Sequence, residues 1–396
     1  MSARSIAFAA NAWMGKGGQG EFLRGMVRAL DAGDQTAAIV SRSAQAKHAQ
    51  CINLKFEGTN RRRLFDFVSG IPVLRGRGDW LNLLSDVDFD ARAARVVPDV
   101  DLFDGVCGQC CRTFEAVSGK RTKRVLTCLN THPEHMERIV RDEQSRIGFS
   151  GPTRMHRRML DRSRREIEMA DRVRVCSSFA RETFLERGVP ERKISVVQIG
   201  IDLDHFYPVP IAEDDPDPFR VLVVSSVEPR KGVHYALEAF ERAALPNSLI
   251  TVIGGTGDRW SKQMLESFQS RLPQVRQAHM DVMSAPVEQS YGAASVLVHS
   301  ALEDGYGLVI PQALASGRPV IATRQSGAAE LIEDGVNGFV VESRDVSALA
   351  DRMSLLANDR HLLRRMSAAA PGSVSHLGYE QYGQRVRKLY EEIVAG

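Results

Sequence analysis

Short apolar runs bounded by polar residues, each followed by a longer segment with helical spacing, recur along the chain. Ser295–His299 shows the pattern most plainly. It is too short for a helix and lacks the alternation of a strand with one wet face, which predicts a buried parallel strand. Strands are likewise predicted at Ser5–Ala10, Thr36–Val40, Asp101–Val106, Arg124–Cys128, Ile194–Gln198, Phe219–Ser225, Ser248–Gly254 and Arg318–Thr323. Helices are expected after Met14, over Arg154–Met169, from Ser177 or Ser178 as N-cap to Gly188, from Leu308 to a stop at Gly317, and over Tyr379–Val394. Alternating strands and helices predict an α/β protein built on parallel sheets.

A chain of 396 residues exceeds one ordinary domain. The acid- and proline-rich stretch Pro208–Pro218 reads as the hinge. The expected division is a first domain over 1–207, a linker over 208–218 and a second domain over 219–378, with 379–396 returning to the first. Charge supports the split: residues 1–200 hold 34 Lys and Arg against 24 Asp and Glu, the remainder 18 against 25. A basic first half suits an anionic acceptor or a membrane surface as well as plain solvation. No apolar run approaches the roughly 18 residues needed to span a bilayer, and the N-terminus lacks a signal-peptide pattern. With six scattered cysteines the expectation is a reducing cytosol, with peripheral membrane contact as an option and no nucleic acid as partner.

Candidate chemistry concentrates where strands end. Glu303-Asp304-Gly305-Tyr306-Gly307 places two acids and two glycines between a strand and a helix start at Leu308. Glycines let backbone come close, and helix-start amides point at negative charge. A carboxylate beside them could hold a polyol hydroxyl. Phosphate plus sugar is what a nucleotide sugar presents.

Other stretches weigh against different chemistries. Gly15, Gly17 and Gly20 satisfy the dinucleotide fingerprint, but four residues separate them from the expected strand end, and the second strand runs into Ser-Arg-Ser instead of an acid. Asp86, Asp88 and Asp90 resemble an acidic metal clamp, yet they precede a helical segment and read better as capping. Cys107, Cys110 and Cys111 have no second C-x-x-C to complete a zinc site, so buried thiols are expected, as for Cys128 and Cys176. Arg61–Arg63, Arg75 and Arg77 among Leu64, Phe65, Phe67 and Trp80, and the basic 154–169 helix, read either as a membrane-touching surface or as solvated charge.

The residues Asp304, Gly305, Tyr306, Gly307, Leu308, Gln312, Ala313, Ala315, Gly317, Pro319 and Val320 resemble the hallmark of the retaining glycosyltransferases of GT-B fold, in their large bacterial nucleotide-sugar-dependent family. That pattern is acid, Gly-Phe-Gly-Leu, a second acid eight residues after the first, then Ala-x-Ala-x-Gly-x-Pro-Val. Glu is usual at both acids; here Asp304 and Gln312 stand there. The resemblance extends to Gly200, Asp202, Phe206 and Pro208 before the hinge and to Lys231-Gly232, with Ser226 where the family has Arg and Arg230 as its substitute.

The resemblance implies a GT-B architecture, two doubly wound Rossmann-like domains facing a cleft, and transfer of a sugar from a nucleotide-diphosphate sugar to a hydroxyl of a glycan or lipid-linked acceptor with retained configuration. It implies no cofactor and no metal. Asp304 and His132 would orient the sugar, with His135 as second choice to His132. Lys231 would stabilise the leaving diphosphate. Donor contacts would come from Gly17, Gly18, Ser226, Arg230, Gly254, Glu303, Gly305, Tyr306, Gly307, Leu308 and Gln312. The alternatives are a nucleotide-sugar isomerase of the same fold and a degenerate transferase acting as a scaffold.

Overall fold

A computed structural model of the chain describes residues 5–33, 36–54, 78–119, 121–149, 156–211 and 218–396. The basic stretch from Arg61 to Arg77 lies outside the described residues, as do Arg154, Met155 and residues 212–217 of the expected hinge.

Two parallel sheets carry the architecture. The first comprises β1 (Ser5–Trp13), β2 (Thr36–Ser43), β3 (Gln50–Asn53), β4 (Leu102–Val106), β5 (Lys123–Cys128), β6 (Arg172–Val175) and β7 (Ile194–Val196), in the order 3-2-1-4-5-6-7. The second comprises β8 (Phe219–Val224), β9 (Ser248–Ile253), β10 (Val275–Ala278), β11 (Val296–His299), β12 (Val320–Thr323) and β13 (Gly338–Val341), in the order 10-9-8-11-12-13. Each order reverses once, between β1 and β4 and between β8 and β11, and ligands bind beyond the strand ends at such reversals.

Burial on both faces explains the unbroken apolar runs. Ile6, Phe8 and Ala10 enter one core while Ala7 and Ala9 enter another, and Leu297 is divided in the same way from Val296 and Val298. Each fully buried large aliphatic contributes about 1.5–3 kcal/mol. The helix Tyr379–Ala395 packs on Gly17–Asp31 of the first domain, where Gly25 lies under the Tyr379 ring and Gly383 against Ala29. Tyr390 at its far end donates to Asp104, itself paired with the buried Arg174 at 3.1 Å.

Two expectations need correcting. β1 continues to Trp13, so Met14 alone separates it from Gly15; β2 still ends in Ser41-Arg42-Ser43, which keeps the dinucleotide reading incomplete. Asp86, Asp88 and Asp90 sit inside the helix Gly78–Val96, not before it. Asp90 does cap, but on another element: it accepts from the backbone N–H groups of Arg112 and Thr113 at 2.8 and 2.9 Å. In the basic helix, described as Arg157–Met169, Arg162 is largely buried against Asp90, whereas Arg164 and Arg165 pair with Glu134 and Glu115 at the surface, as solvated charge does. Among the described residues no helix is long and apolar enough to cross a membrane.

Candidate active site

Loops from the C-terminal ends of β1, β5, β8, β9, β10 and β11 enclose a cleft of about 520 Å³ between the domains. From the second domain, Lys231, Asp304 and the backbone of Gly307, Leu308 and Val309 line it. Lys231 ends a short turn held by Gly232, whose φ of 61° favours glycine and whose Cα lies so close to Ser300 that a Cβ would sit 2.1 Å from its carbonyl oxygen. That packing delivers the ammonium to the Asp304 carboxylate, with which it forms an ion pair. His299, at the end of β11, brings Nε2 to 3.2 Å from the same carboxylate oxygen.

Burial alone would raise the Asp304 carboxyl, but Lys231 and His299 outweigh it and hold it well below the ordinary carboxylate range. Burial, then Arg230, lower the Lys231 ammonium, and burial lowers the His299 imidazole.

Across the gap, the helix Gly17–Asp31 opens on Gly17, Gly18 and Gln19. Its first turn holds no acid, Lys16 offers no side-chain cap, and a Cβ on either Gly17 or Gly18 would meet open space. Uncapped N–H groups with the positive end of the helix dipole therefore face the cavity. Gln312 also lines it, its Oε1 accepting from Tyr291 OH at 2.7 Å, which turns the amide N–H₂ to the other side. Gly254 contributes backbone, pressed so tightly on the β8 loop that a Cβ would lie 1.8 Å from Ser225 O. Ser226 is exposed and donates to Glu228 at 3.1 Å. Tyr306 forms an inner wall, but its hydroxyl is turned to Ile199 O at 3.3 Å.

Five expected site residues are placed elsewhere or already engaged. His132 lines a separate pocket with Arg164 and Arg187: its Nδ1 accepts from Glu134 N at 3.2 Å as the cap of the helix Pro133–Arg146, and its ring abuts Phe184. Burial lowers its imidazole to about 4. Glu303 is fully buried, accepting from Thr131 Oγ1 at 2.7 Å and from Arg230 at 2.8 Å, so it ties the domains together and does not face the cleft. Arg230, though at the cleft wall, spends its guanidinium on Glu303 and its carbonyl. Gly305 lies against Asn130 of the first domain, and His135 is buried near Phe179.

Residues 210–372 match the family model of glycosyl transferases group 1. The second domain is thus similar to the group 1 glycosyl transferases over residues 210–372. Of curated proteins, D-inositol 3-phosphate glycosyltransferase of Frankia alni is 28% identical over 232 residues, 52% of this chain and 54% of that protein. The putative colanic acid biosynthesis glycosyltransferase WcaL of Escherichia coli is 26% identical over 174 residues, 42% of this chain and 43% of that protein. The alignments thus span about half the length of these curated relatives. Among solved structures, sucrose-phosphate synthase from Thermosynechococcus elongatus shares the fold with a TM-score of 0.76 at 20% identity, covering 99% of both chains. Anabaena HepE, solved with UDP and glucose, gives 0.69 at 16% identity over 98% of this chain and 100% of its own. The fold is GT-B.

Within the second domain, sequence reasoning missed His299, Tyr291 and the wall formed by Met280, Asp281 and Met283 after β10. A histidine ending a buried strand was a usable signal for the first. The others follow no local pattern. Among the described residues no group of three or more His, Cys, Asp or Glu is arranged to hold a metal.

Proposed function

We propose that the chain transfers a glycosyl group from a nucleotide-diphosphate sugar to a hydroxyl acceptor with retained anomeric configuration. The observation that carries this reading is the Lys231–Asp304 pair set opposite the uncapped Gly17–Asp31 helix, because it combines a diphosphate partner with a hydroxyl partner. An entering diphosphate competes for the Lys231 ammonium and frees the Asp304 carboxylate to accept from a sugar hydroxyl. As the bond from the anomeric carbon to the diphosphate oxygen breaks, charge grows on the leaving group, and Lys231 with the helix-start amides stabilises it. The new bond forms to the acceptor oxygen, whose proton passes to the departing diphosphate. We assign no metal or cofactor to these steps, so turnover is expected to persist in excess EDTA. His132, removed from the cleft, takes no part.

A thermal-shift panel of UDP-, GDP-, ADP- and dTDP-sugars tests the reading, since a donor that binds only the folded state raises the melting temperature. UDP-sugars come first because HepE was solved with UDP and glucose. One or more donors should stabilise the protein, and NMR of the product should show the donor's anomeric configuration. Stabilisation by none, or an inverted product, would defeat the proposal.

A further inference from the structure

Past Gln19, Leu129 and Asn130 the donor cleft continues into a second pocket of about 420 Å³ inside the first domain. One wall is a face of the helix Gly78–Val96, where Asn82, Ser85 and Asp86 fall three and four positions apart. Trp13, the last residue of β1, stands at the pocket with 40% of its surface exposed, although it belongs to a strand that is otherwise almost wholly buried.

The polar groups here are oriented by the fold. Asn11 donates through Nδ2 to Asp86 Oδ1 at 2.7 Å and to Ser85 Oγ at 3.0 Å, while its Oδ1 accepts from Arg42 Nε at 2.6 Å. Gln109 Oε1 accepts from Asn11 N at 2.7 Å, which leaves the Gln109 amide to offer its N–H₂ group. Arg42 is fully buried behind this layer and directs its other donors at Leu54 O and Ser85 O, both at 3.0 Å. The pocket therefore presents a part-exposed indole, fixed amides and one carboxylate.

That is the chemistry of a neutral sugar ring. The apolar C–H face of a pyranose lies on an aromatic surface, and hydroxyls, donors and acceptors at once, bond to a carboxylate and an amide N–H₂ together. Burial pushes the Asp86 carboxyl up to about 6 against the pull of Asn11, Arg162 and Arg42. At pH 7 and above it is therefore mostly ionised and disfavours a phosphate dianion, which has no proton to give it. Resting on the transferase reading above, we infer that this pocket receives the acceptor, and that the acceptor group is an uncharged sugar ring held by Trp13, Asp86 and Gln109. In this the chain departs from the relatives named for D-inositol 3-phosphate, whose named substrate carries a phosphate.

Saturation-transfer NMR on the full chain tests the inference without knowledge of the donor. The probes are methyl glucoside, galactoside and mannoside, each beside its 6-phosphate. At least one neutral glycoside should receive saturation, with its 6-phosphate bound at least tenfold more weakly. Trp13→Ala and Asp86→Asn should each weaken neutral binding at least tenfold, and Asp86→Asn should narrow the gap to the 6-phosphate. Trp13 is a surface residue, so its variant keeps the test open should Asp86→Asn fold poorly. Equal or tighter binding of the 6-phosphates, no binding of any neutral glycoside, or binding that survives both substitutions would overturn the inference. A nucleotide sugar that stabilises the protein while no glycoside binds would sink the acceptor assignment alone. Glycoside binding with no response to any nucleotide sugar would instead remove the transferase reading, and the acceptor role with it.

Discussion

At the back of the domain boundary, acids of one domain are bonded from the other: Glu303 by Thr131, Glu143 by His234, Tyr235 and Arg344, and Glu330 by Ser178 and Gln198. At the front, Asp304 and Lys231 pair within one domain and face a cavity. Neighbours in sequence, Glu303 and Asp304 fall on opposite sides of this division. A charge bonded on every side fixes an arrangement, whereas a pair beside open space can exchange its partner for a ligand's charge. The back holds the domains in register, and the front is left free to respond.

The sharpest break is at the front. Lys231→Ala removes the cation that the proposal sets against the departing diphosphate and leaves Asp304 without its partner. Turnover should fall about 10²–10³-fold, in line with losing one preorganised transition-state contact. Continuous measurement of nucleotide diphosphate release checks this, and retention of near-full activity would dissolve the contrast between the two faces.

At the back, Glu143→Gln should act on stability instead. Burial would raise this carboxyl, but His234, Tyr235 and Arg344 together bring it from 4.5 down to about 2. The folded state thus holds the proton less tightly than the unfolded chain. The resulting stabilisation, on the order of 3 kcal/mol, is complete above about pH 4.5 and is lost as pH falls toward 2. Thermal unfolding from pH 3 to pH 7 should show the variant less stable at neutrality, with the gap to the parent closing in acid. A gap independent of pH would mean that the carboxylate does not carry the effect.

Gly305→Ala addresses the seam itself, because the new Cβ would lie 2.4 Å from Asn130 Cα. The domains must part by a fraction of an ångström to several, so turnover should drop about tenfold with circular dichroism unchanged, since small misplacements of reacting groups cost rate steeply. Small-angle scattering should report the opening.

The same division explains what could be read from sequence. Both sheets were legible because strands buried on two faces must be apolar throughout, as Ser295–His299 is. Lys231, Asp304, Gly307 and Gln312, singled out through the family resemblance, do line one cleft, because each stands in or just after a loop at a strand's C-terminal end. Glu303 and His132 were misplaced for a shared reason. Each sits next to a cleft loop, and only the partners across the fold, Thr131 with Arg230 for one and the helix cap at Glu134 with Phe184 for the other, turn them away. Asp86 was read for its acidic neighbours, whereas its setting depends on Asn11 and Gln109, distant in sequence. Contacts between remote segments leave no periodic trace.

The smallest effect is expected at Gln312, where the family pattern has Glu. Tyr291 already donates to Oε1 at 2.7 Å, and a glutamate would keep that bond. What changes is the other end of the side chain, from an N–H₂ donor, now 3.5 Å from Met283 Sδ, to a carboxylate oxygen. A ribose hydroxyl can satisfy either, as acceptor to the amide or donor to the carboxylate, so Gln312→Glu should move the donor KM by only about two- to threefold and leave kcat in place. The residue is 2% exposed, so the new carboxyl should lower stability measurably, and its pKa should rise above the ordinary range with only Tyr291 bonded to it. Steady-state kinetics with the donor found by thermal shift decides the matter. A variant that turned over a hundredfold faster than its parent would show that the amide had disabled the site, and the front face would then belong to a binding protein, not to a working transferase.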